Sequence, residues 1–170
     1  MVYEGIITRF VTQSKHKYME EYNFKKALLK SQEAVVFMGD FFKSKGYEVD
    51  IPELVIAPYN VGAFSEYADQ GDMFLRKDGE EIKLEIKNIN TPFTTTWPYK
   101  DVIVNSYPGY QSKIVKPDVH IILNKDKTHY ISIRNETFDK WELRRTFDRV
   151  KQKDLLFYYV DKKYINFFKI

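Results

Sequence analysis

The chain has no cysteine, so neither a disulfide framework nor a thiolate zinc site is available. Glycine and proline are few, 7 and 6 residues, and no Gly/Ser/Pro-rich linker, low-complexity tract or internal repeat is present. No apolar run approaches the roughly 20 residues needed to span a bilayer. The N-terminus, Met1-Val2-Tyr3-Glu4-Gly5, lacks a basic region followed by an apolar stretch. These absences set the expectation of a soluble, cytoplasmic protein with no membrane partner. Also missing are the G-x-x-x-x-G-K-[ST] phosphate loop, the G-x-S-x-G elbow and the H-E-x-x-H helix, which leaves ATP-driven, serine-hydrolase and zinc-protease chemistry without support. Net charge is only +3, which permits a polyanionic partner without requiring one.

What is present is a chain of 170 residues, enough for one domain spanning residues 1–170 with a sizeable core. Thirteen Tyr and 13 Phe make it aromatic, which fits large core side chains or surfaces on which bases stack. Residues 8–30 read as one or two helical segments. Ser31 is a plausible N-cap for a helix running to Lys45 and closed by Gly46, with Ala34, Val35, Met38, Phe41 and Phe42 forming its apolar stripe. Residues 47–51 alternate like a strand, residues 54–58 form a short apolar run, and residues 59–70 read as a loop. Downstream, residues 101–105 read as a short strand and Tyr107-Pro108-Gly109-Tyr110 as a turn. Residues 119–123 and 129–133 read as a strand pair, residues 137–150 as a helix, and 155–160 with 164–170 as a final hairpin. The expected class is α/β (α+β), a central mixed sheet flanked by helices with a C-terminal β-hairpin.

The segment from Gly71 to Lys87 carries the chemistry. Asp78-Gly79 between alternating apolar residues is the strongest short-range hairpin signal, because both central positions of a type I′ turn need φ > 0. If Lys77 pairs with Glu80, counting back places Asp72 opposite Glu85, and Lys87 shares their face because strand side chains repeat every two residues. Met73, Leu75, Ile82, Leu84 and Ile86 then face the core. Opposed carboxylates repel, so the hairpin gains nothing structural from them, whereas a hard divalent cation with oxygen ligands removes the repulsion. The bland alternative is the solvated face of an amphipathic strand.

Asp72, a spacer and Glu85-Ile86-Lys87, preceded by a helix carrying Glu33, resemble the PD-(D/E)XK nuclease superfamily, with Gly71 standing where proline is usual. The resemblance covers residues 31–87 and, more loosely, the strands that follow. It implies a restriction-endonuclease-like core and a metal-dependent nuclease, an endonuclease acting on DNA, with Asp72 and Glu85 as metal ligands. It further implies that the backbone carbonyl of Ile86 adds an oxygen, that Lys87 orients and activates the attacking water, and that Glu33 completes the site. Mg²⁺ is the expected ion, with Mn²⁺ as its substitute, because the donors are hard oxygens without thiolates or paired imidazoles. RNA is the alternative substrate, a catalytically inactive nucleic-acid-binding or protein-interaction module the alternative class. A homodimer and a phage-encoded origin are both compatible with this reading.

Outside the motif, Glu33 has the competing role of a carboxylate near a helix N-terminus. Trp97 and Tyr99, in the proline-bracketed loop after the motif, either stack bases or anchor packing. Lys100, Lys113 and Lys116 are candidates for phosphate contacts, as are Arg144, Arg145 and Arg149. Asp69 is a candidate further ligand or a loop residue. His120, inside an apolar strand, reads as a core histidine, and His16 and His129 have no partner pattern.

Overall fold

The structure is a computed structural model that describes residues 26–53, 71–149 and 152–170. Helix α1 covers 26–44 within the described residues. Lys26, Ala27, Leu28, Leu29 and Lys30 are strong helix formers and carry it through Ser31, so the N-cap expected there is not one. Its other end is as expected. Gly46 takes φ +82°, its N–H donates to the Lys43 carbonyl (3.0 Å), and the Tyr47 N–H reaches back to Phe42 (3.1 Å). This is a Schellman ending, and its usual apolar contact is made by the Phe42 and Tyr47 rings, 5.8 Å apart.

After α1 come β1 (Glu48–Asp50), β2 (Met73–Lys77), β3 (Glu80–Asn88), β4 (Asp101–Ser106), the short helix α2 (Tyr107–Gln111), β5 (Val119–Leu123) and β6 (His129–Arg134). A 3-10 turn (Asn135–Lys140), β7 (Glu142–Asp148), β8 (Lys153–Asp161), a second 3-10 turn (Lys162–Tyr164) and β9 (Asn166–Lys169) complete the chain. Six strands form one sheet in the order β1-β2-β3-β5-β6-β9, and β4-β8-β7 form a second. In the larger sheet β3 and β5 run parallel while the other neighbours are antiparallel, so the sheet is mixed and the class is α+β.

Alternation along the strands decides what lies on each face. Leu84 and Ile86 of β3, with Ile121 and Leu123 of β5, pack with Ala34, Val35, Met38 and Phe42 of α1. The opposite face presents Ile122, Ile131 and Ile133 to Val102 and Val104 of β4 and to Tyr158 and Val160 of β8. Helix, sheet and smaller sheet therefore stack as three layers, each large interior side chain being removed from water. Among the described residues the sheet is flanked on one face by α1 and on the other mainly by the three-stranded sheet.

Three local readings change as well. The segment expected to be a helix from 137 to 150 is the 3-10 turn followed by β7, because Leu143, Arg145 and Phe147 alternate with Arg144, Thr146 and Asp148 and find a complete antiparallel partner in β8. The expected C-terminal hairpin does not form. Asp161 accepts the Lys163 N–H (2.9 Å) and caps a 3-10 turn that redirects the chain, so β8 stays in the smaller sheet while β9 pairs with β6, where Tyr130 and Phe168 stack at 4.8 Å. The expected turn at Tyr107 is α2, capped by Ser106 Oγ on the Gly109 N–H (3.1 Å) with proline in its first turn. The readings at residues 8–25, 54–58 and 59–70, and Asp69 and His16 with them, lie outside the described residues. Among the described residues no helix is long and apolar enough to cross a membrane.

Candidate functional site

Asp78 and Gly79 adopt φ +54° and +83°, the two left-handed positions that a type I′ turn requires. Lys77 pairs with Glu80, and the register continues without a shift to Met73 opposite Leu84. Asp72 follows immediately, its N–H donating to the Leu84 carbonyl (3.1 Å). Just ahead of the first residue of β2, the Asp72 carboxylate takes over the hydrogen bonding to β3: Oδ2 accepts the Ile86 N–H at 2.6 Å. This bond fixes the carboxylate against the backbone of the E-x-K triplet.

Glu85 and Lys87 point away from α1, into the layer between the sheets. Glu85 is buried, and its Oε2 lies 2.8 Å from the Lys113 ammonium, with side-chain exposures of 11% and 2%. The Lys87 ammonium donates to the Val104 carbonyl of β4 (2.7 Å). Burial lowers the Lys87 pKa from its ordinary value, the neighbouring Lys113 charge adds to this, and Glu85 and Asp72 oppose it. The cluster thus holds two carboxylates and two ammonium groups in a partly dry setting.

Lys113 arrives there because the loop that follows α2 is tied down from three directions. Lys83, buried on the same face of β3, donates from Nζ to the Val115 carbonyl (2.6 Å), and its N–H is accepted by Asp118 Oδ2 (2.8 Å). Lys116 donates to the carbonyls of Tyr110 (2.6 Å), Lys113 (2.9 Å) and Gln111 (3.2 Å), which satisfies the C-terminal end of α2. Neither lysine therefore stands where a phosphate-binding role was expected: Lys113 is an interior ion-pair partner and Lys116 a helix-end clamp. Nothing in the local sequence sets Lys113 apart, since the ties that place it span more than 30 residues.

His120, paired in register with Glu85, is buried against the Tyr110 and Trp141 rings at 6.2 and 5.5 Å, and neither ring nitrogen has a hydrogen-bond partner. Burial first, then the charges of Lys87 and Lys113, push its pKa down to about 3, so the ring is neutral. Glu33 is not brought to this cluster. It is exposed on α1, which packs on the opposite face of β3, and the helix turn before it also removes the proposed role at a helix N-terminus.

Trp97 is buried, its indole N–H donates to the Asp101 carbonyl (2.9 Å), and its ring packs 5.3 Å from Phe93; it is an anchor for the loop. Tyr99 and Lys100 are exposed. All three line a cavity of about 520 Å³ whose wall also includes Lys87. Arg144 is held by Asp101 (2.7 Å) and Glu142 and lies over the Tyr159 ring at 5.0 Å, while Arg145 and Arg149 are exposed.

Glu85 Oε2 is a buried oxygen whose charge is met by the Lys113 ammonium at 2.8 Å. Among the described residues no three Asp, Glu, His or Cys side chains converge. No family model, no curated protein and no solved structure matches this chain.

Proposed function

We propose that this chain is a metal-dependent nuclease that hydrolyses phosphodiester bonds in DNA, with a restriction-endonuclease-like core of the PD-(D/E)XK kind. The observation that carries the reading is the hairpin whose register runs to Met73 opposite Leu84, with the Asp72 carboxylate bonded to the Ile86 N–H between Glu85 and Lys87, and Lys87 in the wall of an open cavity. A mixed sheet with α1 ahead of it and the motif on its central hairpin supports the same reading. Mg²⁺, held by Asp72 and Glu85, would supply Lewis-acid stabilisation of the phosphate and a more acidic water. The chain's own residues do the rest. Asp72 is pinned by the Ile86 N–H, so its carboxylate needs little reorganisation. Lys87, half-dehydrated and held by Val104, places a positive charge where phosphate and water would meet, and its lowered pKa makes proton exchange with that water easier. Two carboxylates and two ammonium groups balance without an ion; adding a divalent cation leaves a positive excess that a phosphodiester anion offsets.

The test is cleavage of plasmid, linear duplex and single-stranded DNA, with matched RNA, in Mg²⁺ or Mn²⁺. Asp72→Asn and Lys87→Met are each expected to slow cleavage by about 10²–10³-fold. Cleavage that survives both substitutions rules the site out. The Glu85–Lys113 pair also favours a second reading, since it balances charge without metal: a nucleic-acid-binding module of the same fold. Calorimetry separates the two, because the module would bind DNA with equal affinity in Mg²⁺ and in EDTA.

A further inference from the structure

The cavity beside Lys87 is built unlike a gap between layers. Its floor is fully buried aliphatic surface, Val102 at 1% and Ile122 at 2% exposure, whereas its mouth carries Tyr99 at 60% and Ile103 at 42%. An aromatic and an aliphatic side chain held open around an apolar hollow gain nothing from solvent. The volume, about 520 Å³, falls within the range of small-molecule sites. The charged groups in the lining are Lys87, Lys100 and Asp101, and Thr91 and Tyr159 add hydroxyls. The acid in the lining, Asp101, is neutralised by Arg144 at 2.7 Å, so it does not repel an anion. The Trp97 and Tyr99 rings meet edge to face, 6.0 Å between centroids, with Trp97 locked by its bond to Asp101. This is a largely apolar slot with two lysines in its lining, one of which, Lys87, also borders the Asp72 and Glu85 carboxylates.

We infer that the cavity receives one unpaired nucleobase of a nucleic-acid strand whose backbone lies along Lys87 and Lys100, so that the preferred substrate is single-stranded or carries an extruded base beside the scissile phosphate. The inference rests on the nuclease reading for the position of the backbone. A planar base satisfies the apolar floor and stacks against Tyr99, while the strand's phosphates meet the two lysines; a purely apolar ligand leaves the lysines unused, and a duplex end keeps its bases out of the slot. Every base has a face to stack, so the slot selects for unpaired structure more than for sequence.

The experiment is fluorescence anisotropy on the full chain in EDTA and in Ca²⁺. The probes are a labelled single-stranded oligonucleotide, the same strand with abasic sites scanned along it, the blunt duplex of the same sequence, and dAMP as competitor. The expected result is binding of the intact strand about tenfold or more tighter than of the duplex or of the strand abasic at one position. Ile103→Trp, which fills the mouth from an exposed position, and Tyr99→Ala should each remove that difference while leaving the affinity for the abasic strand unchanged. Equal affinity for intact and abasic strands, or discrimination untouched by both substitutions, overturns the inference. Competition by dAMP at the strand's own affinity overturns the strand as occupant. Cleavage of plasmid DNA in Mg²⁺, measured alongside, keeps the two ideas apart: cleavage without discrimination sinks the base slot alone, and discrimination without cleavage in any metal sinks the nuclease reading alone.

Discussion

Replacing Lys113 by Met keeps the length of the side chain and removes its charge, leaving Glu85 in the layer between the sheets without its ion-pair partner. At 2.8 Å the pair attracts by about 6 kcal/mol at an effective dielectric of 20, most of which is spent against the desolvation of two groups only 2% and 11% exposed. What the substitution removes is the compensation, not the pair's net worth, and breaking a buried pair from one side typically destabilises by about 3–5 kcal/mol. Lys87 remains near Glu85 and places the expected loss at the lower end, about 3 kcal/mol at pH 7. For a chain of this size that corresponds to a fall in Tm of about 6–12 °C. Urea unfolding in EDTA measures it, and a cycle with Glu85→Gln should return a coupling of about 2–3 kcal/mol. Mg²⁺ should then stabilise Lys113→Met more than the wild type, by up to about 2.7 kcal/mol at a hundredfold excess over its Kd, because the ammonium no longer competes. A loss below about 1 kcal/mol with no coupling to Glu85 refutes the reasoning.

Two further outcomes follow from the same coordinates. Gly79→Ala should destabilise by about 1–2 kcal/mol from φ +83° alone, since a Cβ there meets nothing within 4 Å, whereas Gly71→Ala should lose more, its Cβ falling 2.4 Å from Lys83 Cε at φ +102°; equal losses in urea titrations would refute the crowding argument. His120, with its pKa pushed down from 6.5 to about 3, binds a proton in the unfolded chain before the folded one does. Stability is therefore complete above pH 6.5 and falls as pH drops, by up to about 1.4 kcal/mol per unit, and His120→Phe should flatten the curve between pH 6.5 and 4.5 in EDTA; parallel curves for the two proteins would refute the burial argument.

The hairpin was legible because its determinants are local. Two adjacent left-handed residues allow one turn, the turn fixes the register, and the register runs to Met73 opposite Leu84, one residue short of Asp72. Gly46 was legible for the same reason, as were β5 and β6, whose largely apolar runs are confined to five or six residues each. The partner of β8 was not. Residues 153–161 and 166–169 both read as aromatic-rich strands, and nothing within either says that one joins β4 and β7 while the other joins β6; that choice is made by the 3-10 turn at Lys162 and by Tyr130 meeting Phe168. Lys113 reads in the sequence as a candidate phosphate contact, and the long-range ties between Lys83 and the 115–118 stretch help bring it inside.

β3 is the strand on which these observations converge. A central strand with a parallel neighbour and layers on both faces normally reads as apolar throughout. Here one face is Leu84 and Ile86, as expected, while the other carries Lys83, Glu85 and Lys87, with His120 on the adjacent strand. Each of these groups loses hydration on burial, and a buried ion pair is often matched or exceeded in stability by apolar residues of similar volume. Local rules are broken in this way mainly where a site needs the groups for something other than folding. The double variant Glu85→Leu/Lys113→Met should therefore lie within about 1 kcal/mol of the wild type, or above it, in urea unfolding, even though Lys113→Met alone loses about 3. The same variant should neither cleave DNA nor gain stability from Mg²⁺. If it instead loses more than about 3 kcal/mol, the pair is a structural staple of the interlayer. Its burial would then carry no argument for catalysis.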